Sequence, residues 1–190
     1  SDSFRGDWQA YPAKGYVVAF PNTTGSLGYG QQLTADISKD WGGRVYRDTM
    51  AVTDALAKLD YVDEGRMGIM GWSYGGYLVN WVIGQTRRFK AAASMMGVYD
   101  LRMWYATTEE QWFPEWDIGG QPWTRKVWSK FSPSNFAPKI KTPTLIITGE
   151  LDYRIPYTQS IALFTDLRKQ GVPARLLIFP EDGHWPNRVK

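Results

Sequence analysis

One pentapeptide limits what this chain can fold into more than any other stretch. Gly71-Trp72-Ser73-Tyr74-Gly75 stands between a segment that reads as a strand and one that reads as a helix. Arg66-Met67-Gly68-Ile69-Met70 is short and apolar, and glycine closes it, so it reads as a short buried strand. Tyr74, Tyr77, Leu78, Trp81 and Val82 then fall at i, i+3, i+4, i+7 and i+8, the apolar stripe of an amphipathic helix. Strand, tight turn and helix with serine at the corner form a nucleophile elbow. The turn lifts the hydroxyl clear of a sheet, aims the helix's first N–H groups at the same point, and needs small residues at Gly71 and Gly75 so that the backbones can approach. The plainer alternative is a Gly-Ser turn capping an ordinary helix, and five letters alone do not decide between the two. The partners of Ser73 have to.

The chain has 190 residues, of which 43% are hydrophobic and 22% charged, enough for one globular domain with a real core. Ten Trp, eleven Tyr and eight Phe lead us to expect prominent aromatic packing or an aromatic-lined pocket. The net charge of +3 is dispersed except for Arg87, Arg88 and Lys90, so nucleic acid is not an expected partner. With no cysteine and one histidine there is no disulfide, no thiol nucleophile and no Cys- or His-rich metal site. No metal and no cofactor are expected. No apolar run is long enough to span a bilayer and no signal peptide begins at Ser1, so no membrane association is expected. The compartment stays open between the cytoplasm and the periplasm or secretion.

Along the chain, Gly15-Tyr16-Val17-Val18-Ala19-Phe20-Pro21 reads as the first strand. Asn22 to Gln31 is a Gly-rich loop with no Gly-Lys-Ser/Thr after it, which excludes a P-loop. Residues 43–60 carry a helical pattern through Val45, Val52, Leu56 and Leu59. Further strands are expected at residues 91–96, 143–149 and 174–180. A helix is expected over 157–169, with Ile161, Phe164 and Leu167 inward and Gly171 as its stop. Alternating strands and helices imply an α/β fold with a mostly parallel sheet and helices on both faces. Residues 98–136 break the rhythm. They mix Trp104, Trp112, Phe113, Trp116, Trp123 and Trp128 with Glu109, Glu110, Glu115 and Asp117, and an excursion of this length inside a domain tends to be functional.

A serine hydroxyl is a weak nucleophile at neutral pH. It needs an imidazole to take its proton and a carboxylate to hold that imidazole in the right tautomer. His184 is the only imidazole, and it follows the last expected strand by a few residues. Asp152 follows the 143–149 strand, which gives the chain order Ser73, Asp152, His184 found in α/β-hydrolases. Glu150 and Asp182 are the rival carboxylates, read respectively as a loop-surface or cap residue and as a solvated one.

With those residues in view, the chain resembles the catalytic domain of the prolyl oligopeptidase family of serine peptidases. The resemblance rests on Gly71-Trp72-Ser73-Tyr74-Gly75-Gly76-Tyr77, Asp152-Tyr153-Arg154-Ile155-Pro156, the Gly183-His184 loop and Gly25-Ser26-Leu27-Gly28-Tyr29-Gly30. Glu109-Glu110-Gln111-Trp112-Phe113-Pro114-Glu115-Trp116 is similar to the acylaminoacyl-peptidase and dipeptidyl-peptidase V branch. The resemblance implies an α/β-hydrolase fold truncated at both ends, with the family's N-terminal β-propeller, first strands and closing helix outside these 190 residues. It implies Ser73 as nucleophile, Asp152 and His184 as partners, and the Tyr74 N–H as one oxyanion donor. Arg154 would hold substrate backbone. Because the loop after the strand beyond the elbow opens at the carboxyl end of the sheet, Tyr99, Trp112, Phe113 and Trp116 are expected to line an apolar pocket that Ile155 closes, the plainer alternative being that these rings only pack the excursion onto the sheet. Glu109, Glu110 or Glu115 would attract a free ammonium group. The expected partner is a short peptide substrate, and a homo-oligomer of the parent enzyme stays open. A carboxylesterase on the same fold is the alternative activity. A noncatalytic interaction module is the alternative of another class.

Overall fold

The computed structural model describes residues 9–186. Four parallel strands, β1 (Gly68–Trp72), β2 (Ala91–Met95), β3 (Thr144–Gly149) and β4 (Ala174–Phe179), lie side by side in the order in which they occur in the chain. The labelled helices are α1 (Arg44–Leu56), α2 (Tyr74–Gln85), α3 (Leu101–Thr107) and α4 (Thr158–Lys169). The fold is the α/β class expected from the alternation.

Strand order has a consequence for the layers. Parallel strands added one after another in a single direction, each through a right-handed crossover, place every crossover on the same face of the sheet. The packing agrees. Val79 and Ile83 of α2 and Leu163 and Leu167 of α4 share one cluster with Ile69, Ala92, Ile146 and Leu176, which the strand register puts on one face. Alternate residues point the other way, and there Met70, Leu145 and Leu177 are 46%, 37% and 40% exposed. The two crossover helices α2 and α4 thus pack on the same face of the described sheet.

Three local expectations change with the tertiary context. Residues 15–21 form no strand: Tyr16, Val17 and Phe20 are exposed, and β1 is the edge of the sheet. A β-rich sequence becomes a strand only when a neighbour completes its ladder. The stripe on α2 is broader than its spacing suggests, since Gly76, Tyr77, Val79, Asn80, Trp81, Val82, Ile83 and Gly84 are all buried. This helix is enclosed on most sides, as a helix apolar nearly all round must be. In α4 Leu167 faces inward and Phe164 packs against the same cluster, as expected, whereas Ile161 is 37% exposed and Leu163 is buried instead.

A second cluster sits at the carboxyl end of the sheet. Trp41, Tyr77, Trp81, Leu101, Trp104, Trp128, Phe131 and Ile155 pack there, joining α2 to the 98–136 stretch. Burying an aliphatic or Phe side chain contributes roughly 1.5 to 3 kcal/mol relative to leaving it exposed, so this cluster is a main anchor of that stretch. The stretch is built from α3 and short turns at Trp112–Pro114, Glu115–Gly119, Val127–Lys130 and Pro133–Lys139. Pieces this short change direction before a hydrophobic period can repeat.

Candidate active site

The corner at Ser73 is set by backbone geometry. Ser73 has φ 59 and ψ −119, a left-handed conformation that among the described residues only Lys39 and Met96 share outside glycine in the sign of φ. Holding a side-chain-bearing residue there costs on the order of 1 to 3 kcal/mol. Two bonds hold it: the Ser73 N–H donates to Met95 O at 2.9 Å, and the Tyr77 N–H donates to Ser73 O at 3.0 Å. A methyl group on Gly71 would lie 2.3 Å from Gly75 O, which is why the turn needs glycine at this crossing. The first N–H groups of α2, from Tyr74 onward, have no acceptor within their helix and carry its partial positive charge.

Asp152 lies in the turn after β3 and is 1% exposed. Its Oδ1 accepts the N–H groups of Arg154 at 3.0 Å and Ile155 at 2.8 Å. Its Oδ2 is 2.8 Å from His184 Nδ1. A carboxylate only accepts, so Nδ1 carries the proton and Nε2 turns its lone pair outward. That lone pair meets the Ser73 hydroxyl, with Nε2 and Oγ 2.9 Å apart.

Backbone contacts join the loops that carry the acid and the imidazole. The Leu151 N–H donates to Asp182 O at 3.0 Å, and the Glu150 N–H donates to Phe179 O at 2.9 Å. Of the three candidate carboxylates, Asp152 is the one bonded to His184. Glu150 is exposed, as expected of a loop-surface residue, but Asp182 is 4% exposed rather than solvated, and its carbonyl braces the turn. Sequence reasoning missed two aromatic neighbours of the imidazole. The Trp185 ring stands edge-on to His184 at 5.3 Å, and Trp72 lies 4.8 Å from Trp185 and 6.3 Å from His184. Their signal was adjacency: one follows His184 directly and the other precedes Ser73.

Beside Ser73, the Tyr74 hydroxyl donates to Trp41 O at 2.7 Å. Burial, with the charges of Asp117 and Asp40 adding, pushes this hydroxyl far above its ordinary pKa and keeps it a donor. Burial likewise raises the Asp117 carboxyl, although the bond from Trp41 Nε1 works the other way. Among the described residues no three His, Cys, Asp or Glu side chains come together as a metal site would require. Nor is any described helix long and apolar enough to cross a membrane.

The expected pocket residues separate. Trp112 and Trp116 are 69% and 79% exposed, while Phe113 packs against Trp104 and Trp41. Ile155 is buried beside Trp104 in the aromatic cluster. Tyr99 is enclosed in the cluster beneath the sheet. Its N–H donates to Gln159 Oε1 at 2.8 Å and its hydroxyl to Asp166 at 2.6 Å, and the hollow it lines contains none of Ser73, Asp152 and His184. Tyr99 thus departs from the expected grouping, because its ring turns toward α4. The carboxylates are also engaged: Glu110 pairs with Arg154 at 2.9 Å and Glu115 accepts the Tyr105 hydroxyl at 2.5 Å, leaving Glu109 as the exposed one.

The Ser73 hydroxyl, the His184 imidazole and the Asp152 carboxylate thus stand in one hydrogen-bonded series, in the chain order noted above. A sequence model of the prolyl oligopeptidase family matches residues 2–190. The chain belongs to the prolyl oligopeptidase family. Relatives within it include dipeptidyl-peptidase 5 of Porphyromonas gingivalis, 40% identical over 96% of this chain and 28% of its own length. Dipeptidyl-peptidase 5 of Schizosaccharomyces pombe is 38% identical over 97% of this chain and 28% of its own length. Among solved structures, the acylaminoacyl peptidase of Pyrococcus horikoshii superposes with a TM-score of 0.82 at 32% identity. The match covers 86% of this chain and 27% of that one. The chain therefore spans little more than a quarter of the length of these members of the prolyl oligopeptidase family.

Proposed function

We propose that this chain carries the catalytic centre of a serine-type peptidase that cleaves short peptides through an acyl-enzyme. The observation that carries the reading is the pair of contacts made by one ring, 2.9 Å to the Ser73 hydroxyl and 2.8 Å to the Asp152 carboxylate. As Ser73 Oγ bonds to the scissile carbonyl carbon, His184 Nε2 takes the hydroxyl proton, and Asp152 stabilises the imidazolium that forms. The carbonyl oxygen becomes an oxyanion, for which the Tyr74 N–H is one donor. His184 then hands the proton to the leaving amine as the C–N bond breaks. Water attacks the ester by the same route in reverse and returns Ser73. In this reading the chain is part of a longer catalytic domain, and the half-exposed Arg154 guanidinium meets the substrate backbone. No cofactor takes part.

That relatives carry the name dipeptidyl-peptidase supports peptides rather than simple esters as the substrates of this chain. A fluorophosphonate probe applied to the full-length polypeptide tests the nucleophile: label should sit on Ser73, and Ser73→Ala should abolish both label and turnover, by on the order of 10⁶-fold in kcat. Label on another serine would end the proposal. Matched amide and ester substrates separate the peptidase from an esterase, since a peptidase should retain turnover on the amide.

A further inference from the structure

Strand β2 lies between β1, which ends one residue before Ser73, and β3, which leads to Asp152. The chain leaving β2 therefore rises between the nucleophile and the acid loop, and it grips that loop at residue 154. Trp104 Nε1 and Thr108 Oγ1 both donate to Arg154 O at 2.8 Å, and the Glu109 N–H donates to Tyr153 O at 2.9 Å. On the other side, Asp152 accepts the Arg154 N–H. The main chain of Arg154 is tied at both ends. Its side chain is then set by one partner, Glu110, whose Oε1 is 2.9 Å from Nη2, with the two side chains 37% and 27% exposed. Arg154 Nε is buried, but a guanidinium carries five N–H donors and the contact with Glu110 is at Nη2 alone, so the exposed end of the fork keeps donors that Glu110 does not use.

We propose that Glu110 is a specificity-determining residue: by neutralising Arg154 it makes the guanidinium a donor to neutral carbonyl groups and withholds the cation from acidic substrate side chains. This rests on the hydrolase reading above. An unpaired guanidinium attracts a carboxylate over several ångströms. A guanidinium already paired with Glu110 offers a dipole, which falls off faster and discriminates little between Glu and Gln on a substrate. Glu110 acts on substrate choice through Arg154 and takes no part in proton transfer.

The test uses the full-length polypeptide and two chromogenic peptide amides that differ only as Glu or Gln at the residue before the one whose carbonyl is attacked. Glu110→Gln should raise the Glu-to-Gln ratio of kcat/KM by roughly two- to five-fold, mostly through KM. The gain should shrink in high salt, and Glu110→Asp should restore the wild-type ratio. Activity that falls equally on both substrates, with the ratio unchanged, would overturn the proposal and leave Glu110 as a brace. If Glu110→Gln does not fold, Arg154→Met tests the claim from the other side. It should leave Glu110 an unpaired anion and push the ratio below the wild-type value, and an unchanged ratio again overturns the proposal. Fluorophosphonate labelling of the same samples separates the two readings. An unlabelled Ser73 in the wild type condemns the nucleophile, whereas normal labelling with a flat ratio condemns the role of Glu110.

Discussion

The corner at Ser73 and the stretch from residue 98 to 136 both stand at the carboxyl end of the sheet, yet they are held in opposite ways. At the corner the backbone does the work: a positive φ, two main-chain bonds, and a glycine whose missing methyl lets the strand and helix cross. In the 98–136 stretch side chains do it, through the cluster around Trp104, Trp128 and Phe131, the Asp100 cap on α3, and the bonds to Arg154. A backbone constraint has almost no adjustable part, so it places one atom accurately and tolerates little change. A side-chain network can relax piece by piece. The corner should therefore respond to substitution steeply and the stretch gradually.

The largest effect tests whether the accuracy of the corner matters for chemistry. Asp152→Asn keeps the shape but offers Nδ1 the wrong partner, so kcat should fall by about 10⁴-fold with little change in the folded structure, as kinetics and circular dichroism would record. A loss below tenfold would mean that the His184 tautomer needs no carboxylate. Next comes the crossing itself. In Gly71→Ala the new methyl meets backbone at 2.3 Å, which cannot swing aside, so unfolding in urea should show a loss above about 3 kcal/mol. Recovery of wild-type stability would show that the corner is softer than its geometry implies.

A finer test compares two inactive proteins. Ser73→Gly relieves the positive φ whereas Ser73→Ala keeps it, so the glycine variant should be the more stable by about 1 kcal/mol in spite of the flexibility that glycine adds to the unfolded chain. Equal stability would show that the strain is negligible. The smallest effect belongs to the 98–136 stretch. Trp112→Ala and Trp116→Ala should each change stability by no more than about 0.5 kcal/mol, since both rings are mostly in solvent. If these rings also form a substrate wall, kcat/KM should shift among substrates that differ in one apolar residue, with stability unmoved. Uniform loss that follows a lower Tm would place them with the core and erase the contrast between the two regions.

The chain by itself determined the parts whose chemistry is local. Gly71 and Ser73 announce the corner because a tight strand-to-helix crossing allows few other residues, whereas a methyl on Gly75 would meet open space, against the expectation that this position too must be small. His184 stands out as the single imidazole, and Asp152 as the favoured one of three carboxylates behind strands, a choice that the fold makes by bringing it to His184 Nδ1. The strand runs at 91–96, 143–149 and 174–180 were legible for the same reason, as short apolar segments bounded by turns. What neighbours decide was not legible. Residues 15–21 have strand composition yet take no strand conformation, because composition states a preference and a ladder needs a neighbouring strand in register. Ile161 keeps helical spacing yet faces outward, because the place of α4 against β3 and β4 sets which stripe is inner. Only the folded chain brings Glu110 to Arg154, 44 positions apart, since no local rule links a turn after β2 to a turn after β3. That α2 and α4 share one face follows from the spatial order of the strands, a property that exists only once the sheet has formed.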